Sequence, residues 1–120
     1  MIKIDTMDQP RATVITVAGP LTALGYELAR DQLHALPTGQ LERVLLEVES
    51  IAIAEPKAVW EDLKLAPLVR HMKQVAVVTD LEWYGRLSRA FGAVWPGLEI
   101  AHFEPFDRES AVDWLATFDD

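Results

Sequence analysis

The sequence contains no cysteine among its 120 residues, which excludes a disulfide, a thiolate zinc site and a thiol nucleophile. A protein without cysteine is compatible with a reducing cytoplasm. No apolar run approaches the roughly 20 residues that a membrane-spanning helix needs. The first ten residues, MIKIDTMDQP, lack the apolar core of a signal peptide. The chain is therefore expected to be one cytoplasmic domain over residues 1–120.

Positive charge is scarce: 11 basic residues stand against 19 acidic ones, which gives a net charge of −8. Nucleic-acid binders normally present a basic face, so no nucleic-acid partner is expected. The charge is unevenly distributed, however. Residues 57–89 hold six basic and four acidic residues, whereas the rest of the chain holds five basic and 15 acidic residues. One segment of an otherwise acidic protein is therefore locally cationic.

Hydrophobic periodicity predicts strands that alternate with helices after an initial hairpin. The predicted strands lie at residues 1–5, 12–19, 43–50, 74–80 and 98–103, and the predicted helices at 23–37, 57–72, 81–95 and 108–118. This order, ββαβαβαβα, predicts an α/β fold with a mixed, mostly parallel sheet of about five strands and about four helices.

Three sequence patterns suggest how these elements pack. In RVLLEVES, Val44, Leu46 and Val48 alternate with Leu45, as in a central strand that is covered on both faces. In the first helix, Leu24, Leu28, Leu33 and Leu36 are predicted to share one apolar face. In the last helix, Asp107 and Ser110 lie near the predicted N-terminus, and Ala111, Trp114, Leu115 and Phe118 form the predicted apolar stripe.

Residue patterns of enzymes and metal sites are missing from the sequence. His34, His71 and His102 have no metal-ligand partner at the spacing of a zinc motif, and no nucleophile elbow, dinucleotide fingerprint or P-loop occurs. Glu61 and Asp62 are adjacent, so they point about 100° apart on a helix and do not face each other. No enzymatic activity, metal or cofactor is expected.

The predicted helices at 57–72 and 81–95 carry more apolar residues than one buried stripe requires. Pro67 interrupts the first of them, which predicts a bend and a candidate hinge near Ala66-Pro67. Trp83, Tyr84 and Trp95 are aromatic types that favour boundaries between apolar and wet surroundings. Such a helix pair could cover an apolar cavity, contact a membrane surface or form a dimer interface, or it could simply complete a small core.

The chain resembles the SpoIIAA-like branch of the STAS superfamily. The resemblance rests on VAGPLTALGYELARDQL, RVLLEVES, AVWEDLKL, QVAVVTDLEW and EIAHFEPFDRESAVDWL. It implies a fold similar to those of anti-sigma-factor antagonists and CRAL-TRIO lipid-binding domains. It also implies membrane association and an apolar ligand held under mobile helices, without an enzymatic activity.

Antagonists of this superfamily are switched by a phosphorylated serine in a D-S-S-G-like motif. The corresponding loop here is ESIAIAEPKAVW, in which Glu55-Pro56 stands where the helix begins and the motif's serine and glycine are missing. Ser50 is therefore interpreted as an ordinary loop residue, and no phosphorylation site is expected.

The sequence-based hypothesis is a non-enzymatic protein that binds a lipid or another small apolar molecule between the two middle helices and the sheet. A weak association with the inner face of the membrane would accompany this binding. The alternative is a regulatory protein-interaction module that forms a homodimer or binds a partner. Arg86 and Arg89 are predicted to meet a headgroup or membrane phosphate, and the predicted ligand-binding residues are Trp60, Leu63, Leu68, Trp83, Tyr84, Leu87 and Phe91.

Overall fold

The computed structural model describes residues 2–18, 23–49, 71–80 and 98–118. Its strands are β1 (Ile2–Asp8), β2 (Arg11–Val17), β3 (Arg43–Val48), β4 (Gln74–Val78) and β5 (Glu99–Phe103). Its α-helices are α1 (Ala23–Ala35) and α2 (Arg108–Ala116), and short 3-10 helices occupy Thr38–Leu41 and Pro105–Asp107. All five predicted strands are thus confirmed.

The described part of the chain contains two α-helices where about four were predicted for the whole chain. Helices α1 and α2 correspond to the first and last predicted helices. The predicted helix at 81–95 lies outside the described residues. So does the predicted helix at 57–72, except for its end, where His71 is in a turn.

Strands β1 and β2 form the predicted antiparallel hairpin. Their register runs from Asp8 opposite Arg11 to Ile2 opposite Val17. Gln9 and Pro10 make the connecting turn, and the peptide bond between them is cis. Five of the seven residues of β2 are β-branched, which suits a strand packed within a sheet.

The sheet is mixed, and its strands follow the order of the chain from β1 to β5. The pairs β2–β3, β3–β4 and β4–β5 are all parallel, which confirms the mixed α/β sheet. Strand β3 is central and is buried on both faces, as its apolar run predicted. Because β2 to β5 are parallel, their C-terminal ends meet at one side of the sheet, which we call the carboxyl edge.

The face of the sheet that α1 covers, the α1 face, is filled with aliphatic side chains. Its buried residues are Ile15, Val17, Ala29, Leu33, Leu41, Val44, Val48, Met72, Val75 and Val77. The predicted apolar face of α1 is wrong in part, because Leu24 and Leu28 are 63% and 56% exposed. At about 100° per residue, Leu24 lies opposite Leu33 on the helix. Ala29, Leu33 and the half-buried Leu36 form the side that packs.

The opposite face, which α2 covers and which we call the α2 face, combines small residues with aromatic ones. Its buried residues are Ala12, Val14, Leu45, Ala76, Val78, Ala111 and Leu115. Phe103 and Trp114 pack against this cluster with ring centroids 6.2 Å apart. Trp114 also meets Phe118 edge to face at 5.0 Å, so the predicted stripe of the last helix is confirmed.

Helix α2 returns from the carboxyl edge towards the start of β3. Its far end is fixed by Arg43, whose nearly buried guanidinium donates hydrogen bonds to the carbonyl oxygens of Phe118 and Arg11. Asp107 is the N-cap residue of α2, but its side chain makes no capping hydrogen bond. The direction of α2 places its first residue, Arg108, at the carboxyl edge.

Candidate functional site: a cleft at the carboxyl edge

A cleft of about 430 Å³ opens at the carboxyl edge of the sheet. Its lining comes from the ends of β2, β3 and β4, from the residues that follow β3 and β4, and from the start of α2. The lining residues are Thr16, Glu47, Val48, Glu49, Val78, Asp80, Pro105 and Arg108. In open α/β sheets, this edge is where ligands generally bind. We refer to this site as the carboxyl-edge cleft.

The parallel register builds one side of the cleft. Thr16 of β2 lies beside Glu47 of β3, and Glu47 lies beside Val78 of β4. These three residues form a row across neighbouring strands on the α2 face, since side chains at equivalent positions of paired strands point to the same side. The row presents a hydroxyl, a carboxylate and an isopropyl group to one space.

Backbone hydrogen bonds extend the sheet past the strand ends and so fix the rim of the cleft. The N–H of Glu49 donates to the carbonyl oxygen of Val17 at 3.0 Å. The N–H of Thr79 donates to the carbonyl oxygen of Phe103 at 3.1 Å. The Nε2 atom of His102 lies 2.7 Å from the carbonyl oxygen of Thr79. The backbone of Glu49, and that of Thr79 next to Asp80, is therefore held by the neighbouring strands.

The charge of the carboxyl-edge cleft is predominantly negative. Glu47, Glu49 and Asp80 contribute three carboxylates, and Arg108 contributes one guanidinium. The Nε atom of Arg108 donates a short hydrogen bond to Oε1 of Glu47, which offsets part of that charge. Because the Arg108 side chain is half exposed, this ion pair is screened by water and contributes little to stability.

An exposed aromatic residue stands beside the cleft. Phe106 follows the lining residue Pro105 and is 84% exposed. Large aromatic side chains are enriched where proteins bind partners, because they bury much apolar area with little loss of rotamer freedom. The carboxyl-edge cleft thus combines acidic, apolar and aromatic groups, an arrangement suited to binding.

The residues predicted from the sequence to bind an apolar ligand cannot be placed in this geometry. The seven predicted ligand-binding residues, Arg86, Arg89, the candidate hinge Pro67 and the loop residue Ser50 all lie outside the described residues. They remain predictions.

The histidines are described, and they do not converge with acidic groups on a metal site. His34 is exposed in the last turn of α1, His71 lies in a turn and His102 is on β5. Within the four described ranges, no group of three histidine or acidic side chains could hold a metal ion. No described helix is long and apolar enough to cross a membrane.

Sequence reasoning missed the carboxyl-edge cleft, because its residues are widely separated in the chain. The available signal was the acidic residues near the C-terminal ends of two predicted parallel strands, Glu47 and Glu49 in one and Asp80 in the next. Parallel strands bring such residues to one edge. The contribution of Arg108 needed the direction of α2, which the sequence pattern alone did not specify.

Comparison with known proteins identifies the family. The model of the SpoIIAA-like family matches residues 12–116, from the start of β2 to the end of α2. No curated protein and no solved structure was found to be similar to the chain. The matched residues include the parallel strands and every residue that lines the carboxyl-edge cleft. The chain therefore belongs to the SpoIIAA-like family of the STAS superfamily, a family of regulatory modules.

Proposed function

We propose that this protein is a non-enzymatic regulatory module that binds a partner protein at the carboxyl-edge cleft. The observation that carries the proposal is the cleft itself, an open site of about 430 Å³ at the sheet edge where α/β proteins usually bind ligands. Phe106 beside it offers an aromatic anchor that no described neighbour buries. Membership of a regulatory family supports the same assignment.

The charge of the cleft favours a cationic segment of the partner. Three carboxylates face one guanidinium, which is already paired with Glu47. A lysine or arginine of the partner would therefore meet the exposed Glu49, while Val48, Val78 and Pro105 would contact an apolar neighbour. Complementary charge mainly raises the association rate and the selectivity, so the binding should weaken with salt.

The chemistry of the lining residues supports binding rather than catalysis. They offer a threonine hydroxyl, carboxylates and a guanidinium. A nucleophile needs an adjacent base within hydrogen-bond reach. The ion pair of Arg108 with Glu47 places a cation, and not a base, beside that carboxylate.

The proposal can be tested by titrating the ¹⁵N-labelled protein with a short peptide that alternates arginine and leucine. We expect amide shifts concentrated at Thr16, Val48, Glu49 and Asp80. A Glu49→Lys variant should bind about three- to tenfold more weakly, because an exposed attraction becomes a repulsion. A peptide that alternates glutamate and leucine should produce no shifts at the cleft.

The matched control is Glu99→Lys, which changes the net charge equally. Glu99 is exposed at the start of β5, at the edge opposite the cleft. Reversing the charge of Glu99 should leave the affinity for the arginine peptide unchanged. Equal losses in the two variants would show that the peptide responds only to net charge, and the assignment of the cleft would be abandoned.

The apolar-ligand hypothesis stands as a second candidate function. The aromatic and aliphatic surplus of residues 58–72 and 81–97 favours it, together with the local positive charge. Those segments follow β3 and β4, the strands whose ends line the cleft. Trp60, Leu63, Leu68, Trp83, Tyr84, Leu87 and Phe91 are its proposed ligand contacts.

This second candidate assigns Arg86 and Arg89 to a lipid headgroup or to the inner membrane surface, with Pro67 as the hinge. Native mass spectrometry with lipid extraction would test it. A defined hydrophobic adduct that is lost on Trp83→Asp and Leu87→Asp, in variants that still fold, would support it. A bare dimer that the same substitutions split would instead assign these residues to a homodimer interface.

A further inference from the structure

Strand β1 lies at one edge of the sheet. It is the first strand in the spatial order, and within the described ranges no strand pairs with its outer side. Its seven residues pair with β2 without a bulge, and none of them is proline. Natural edge strands are usually shortened, bulged or interrupted, because a regular edge with free N–H and C=O groups can pair with another chain.

We propose that two copies of this protein associate through β1, in an antiparallel pairing that joins the two sheets. This homodimer is independent of the function proposed for the carboxyl-edge cleft. It also differs from a dimer formed by residues 57–95. The charges of β1 are complementary to themselves in one register of such a pairing.

The self-complementary register places Ile4 opposite Ile4 of the partner subunit on the twofold axis. Lys3 then lies opposite Asp5 of the partner subunit, and the symmetry repeats this pair on the other side of the axis. Both side chains are accessible, with 62% of Lys3 and 56% of Asp5 exposed, and they lie 3.3 Å apart within one chain. Opposite charges directly across an antiparallel pair stabilise it, whereas like charges destabilise it.

Neighbouring registers are excluded by the same residues. The outward-pointing backbone groups of a strand recur every second residue. If a register is described by the sum of the two paired residue numbers, this sum therefore changes by two from one allowed register to the next. One shift places Lys3 opposite Lys3 of the partner subunit. The other places Asp5 opposite Asp5 of the partner subunit. A lone lysine usually discourages edge pairing, but here it selects one register.

Helix α1 supplies apolar surface beside this edge. It packs on β1, and its Leu24 and Leu28 are the only large hydrophobic residues besides Phe106 that are exposed in the described part of the chain. A twofold axis through the β1 pair brings the two α1 helices to the same face of the joined sheet. The dimer would thus extend beyond the strand pair and cover apolar area that one copy leaves exposed.

Sedimentation velocity of the full chain over a range of concentrations tests this inference. The unchanged protein should dimerise in a concentration-dependent manner. Lys3→Asp should raise the dimer dissociation constant at least about tenfold, because two attractive pairs become two repulsive ones. Asp5→Lys should have a similar effect. The double substitution K3D/D5K restores opposite charges across the axis and should restore the dimer.

The control is Lys73→Asp, which changes the net charge as Lys3→Asp does. Lys73 is exposed and immediately precedes β4, away from β1. Reversing its charge should leave the dimer intact. Hydrogen exchange of residues 2–6 should also slow as the protein concentration rises. A protein that stays monomeric at its highest soluble concentration would overturn the proposal. So would a dimer that the single reversals do not weaken, or one that the double substitution does not restore.

Discussion

The two faces of the sheet are packed in different ways. The α1 face is filled by branched aliphatic side chains such as Leu33, Leu41 and Val44, which are almost completely buried. The α2 face has Ala12, Ala76 and Ala111 at its centre, all inaccessible to solvent. The stability of the α1 face therefore depends on side chains that fill its volume. The stability of the α2 face depends on small side chains that let the helix approach closely. Substitutions that enlarge or reduce side chains should affect the two faces in opposite ways.

Removing bulk from the α1 face should cause the largest loss of stability. Leu33→Ala is expected to lower the free energy of unfolding by about 2–5 kcal/mol, because the side chain is fully buried and its removal leaves a cavity. The control is Leu28→Ala on the same helix, where the side chain is 56% exposed and the loss should stay within about 0.5 kcal/mol. Urea denaturation measures both. Equal losses would contradict the helical register described here.

Adding bulk to the α2 face should have the next largest effect. Ala76→Leu is expected to destabilise the fold by about 1–3 kcal/mol, since the side chain at this position has no space against Ala111 and Leu115. Ala35→Leu adds the same atoms at an exposed position of α1 and should change the free energy of unfolding by less than about 0.5 kcal/mol. An Ala76→Leu protein as stable as the unchanged one would mean that α2 does not pack closely on β4.

The smallest effect on stability is expected at the carboxyl-edge cleft. Its role is in binding, and the stability of either face of the sheet does not depend on it. A double-mutant cycle on Glu47→Gln and Arg108→Gln should give a coupling of less than about 1 kcal/mol, because the pair is partly exposed. Thermal or urea unfolding of the four proteins measures it. A coupling of several kcal/mol would make this ion pair a substantial part of the stability of the fold.

The sheet could be predicted from the sequence because its strands carry strong local patterns. The alternation of Leu45 with Val44 and Leu46 identified a strand buried on both faces, and β3 is central. Pattern reasoning failed on α1, where leucines were grouped by residue type although Leu24 and Leu33 are half a revolution apart. The smaller Ala29 occupies the buried side instead.

The candidate site was less predictable than the fold because it depends on tertiary structure. Thr16, Glu47 and Val78 form a row only through the register of three parallel strands. Arg108 reaches Glu47 across 61 residues of sequence, through the direction of α2. Neither Arg108 nor Glu47 stands out in the sequence by itself. The apolar-ligand residues were chosen from a local surplus of hydrophobic side chains, and their placement stays a prediction.

The most direct test of the central claim is photo-crosslinking in cells, with a benzophenone amino acid in place of Phe106. This side chain is 84% exposed, so the replacement should be tolerated. We predict a covalent adduct to one defined partner protein, suppressed when Glu49→Lys is introduced in the same chain. The same group in place of Glu99 should give no such adduct. Adducts from both positions, adducts insensitive to the charge reversal, or none at position 106 would contradict partner binding at the carboxyl-edge cleft.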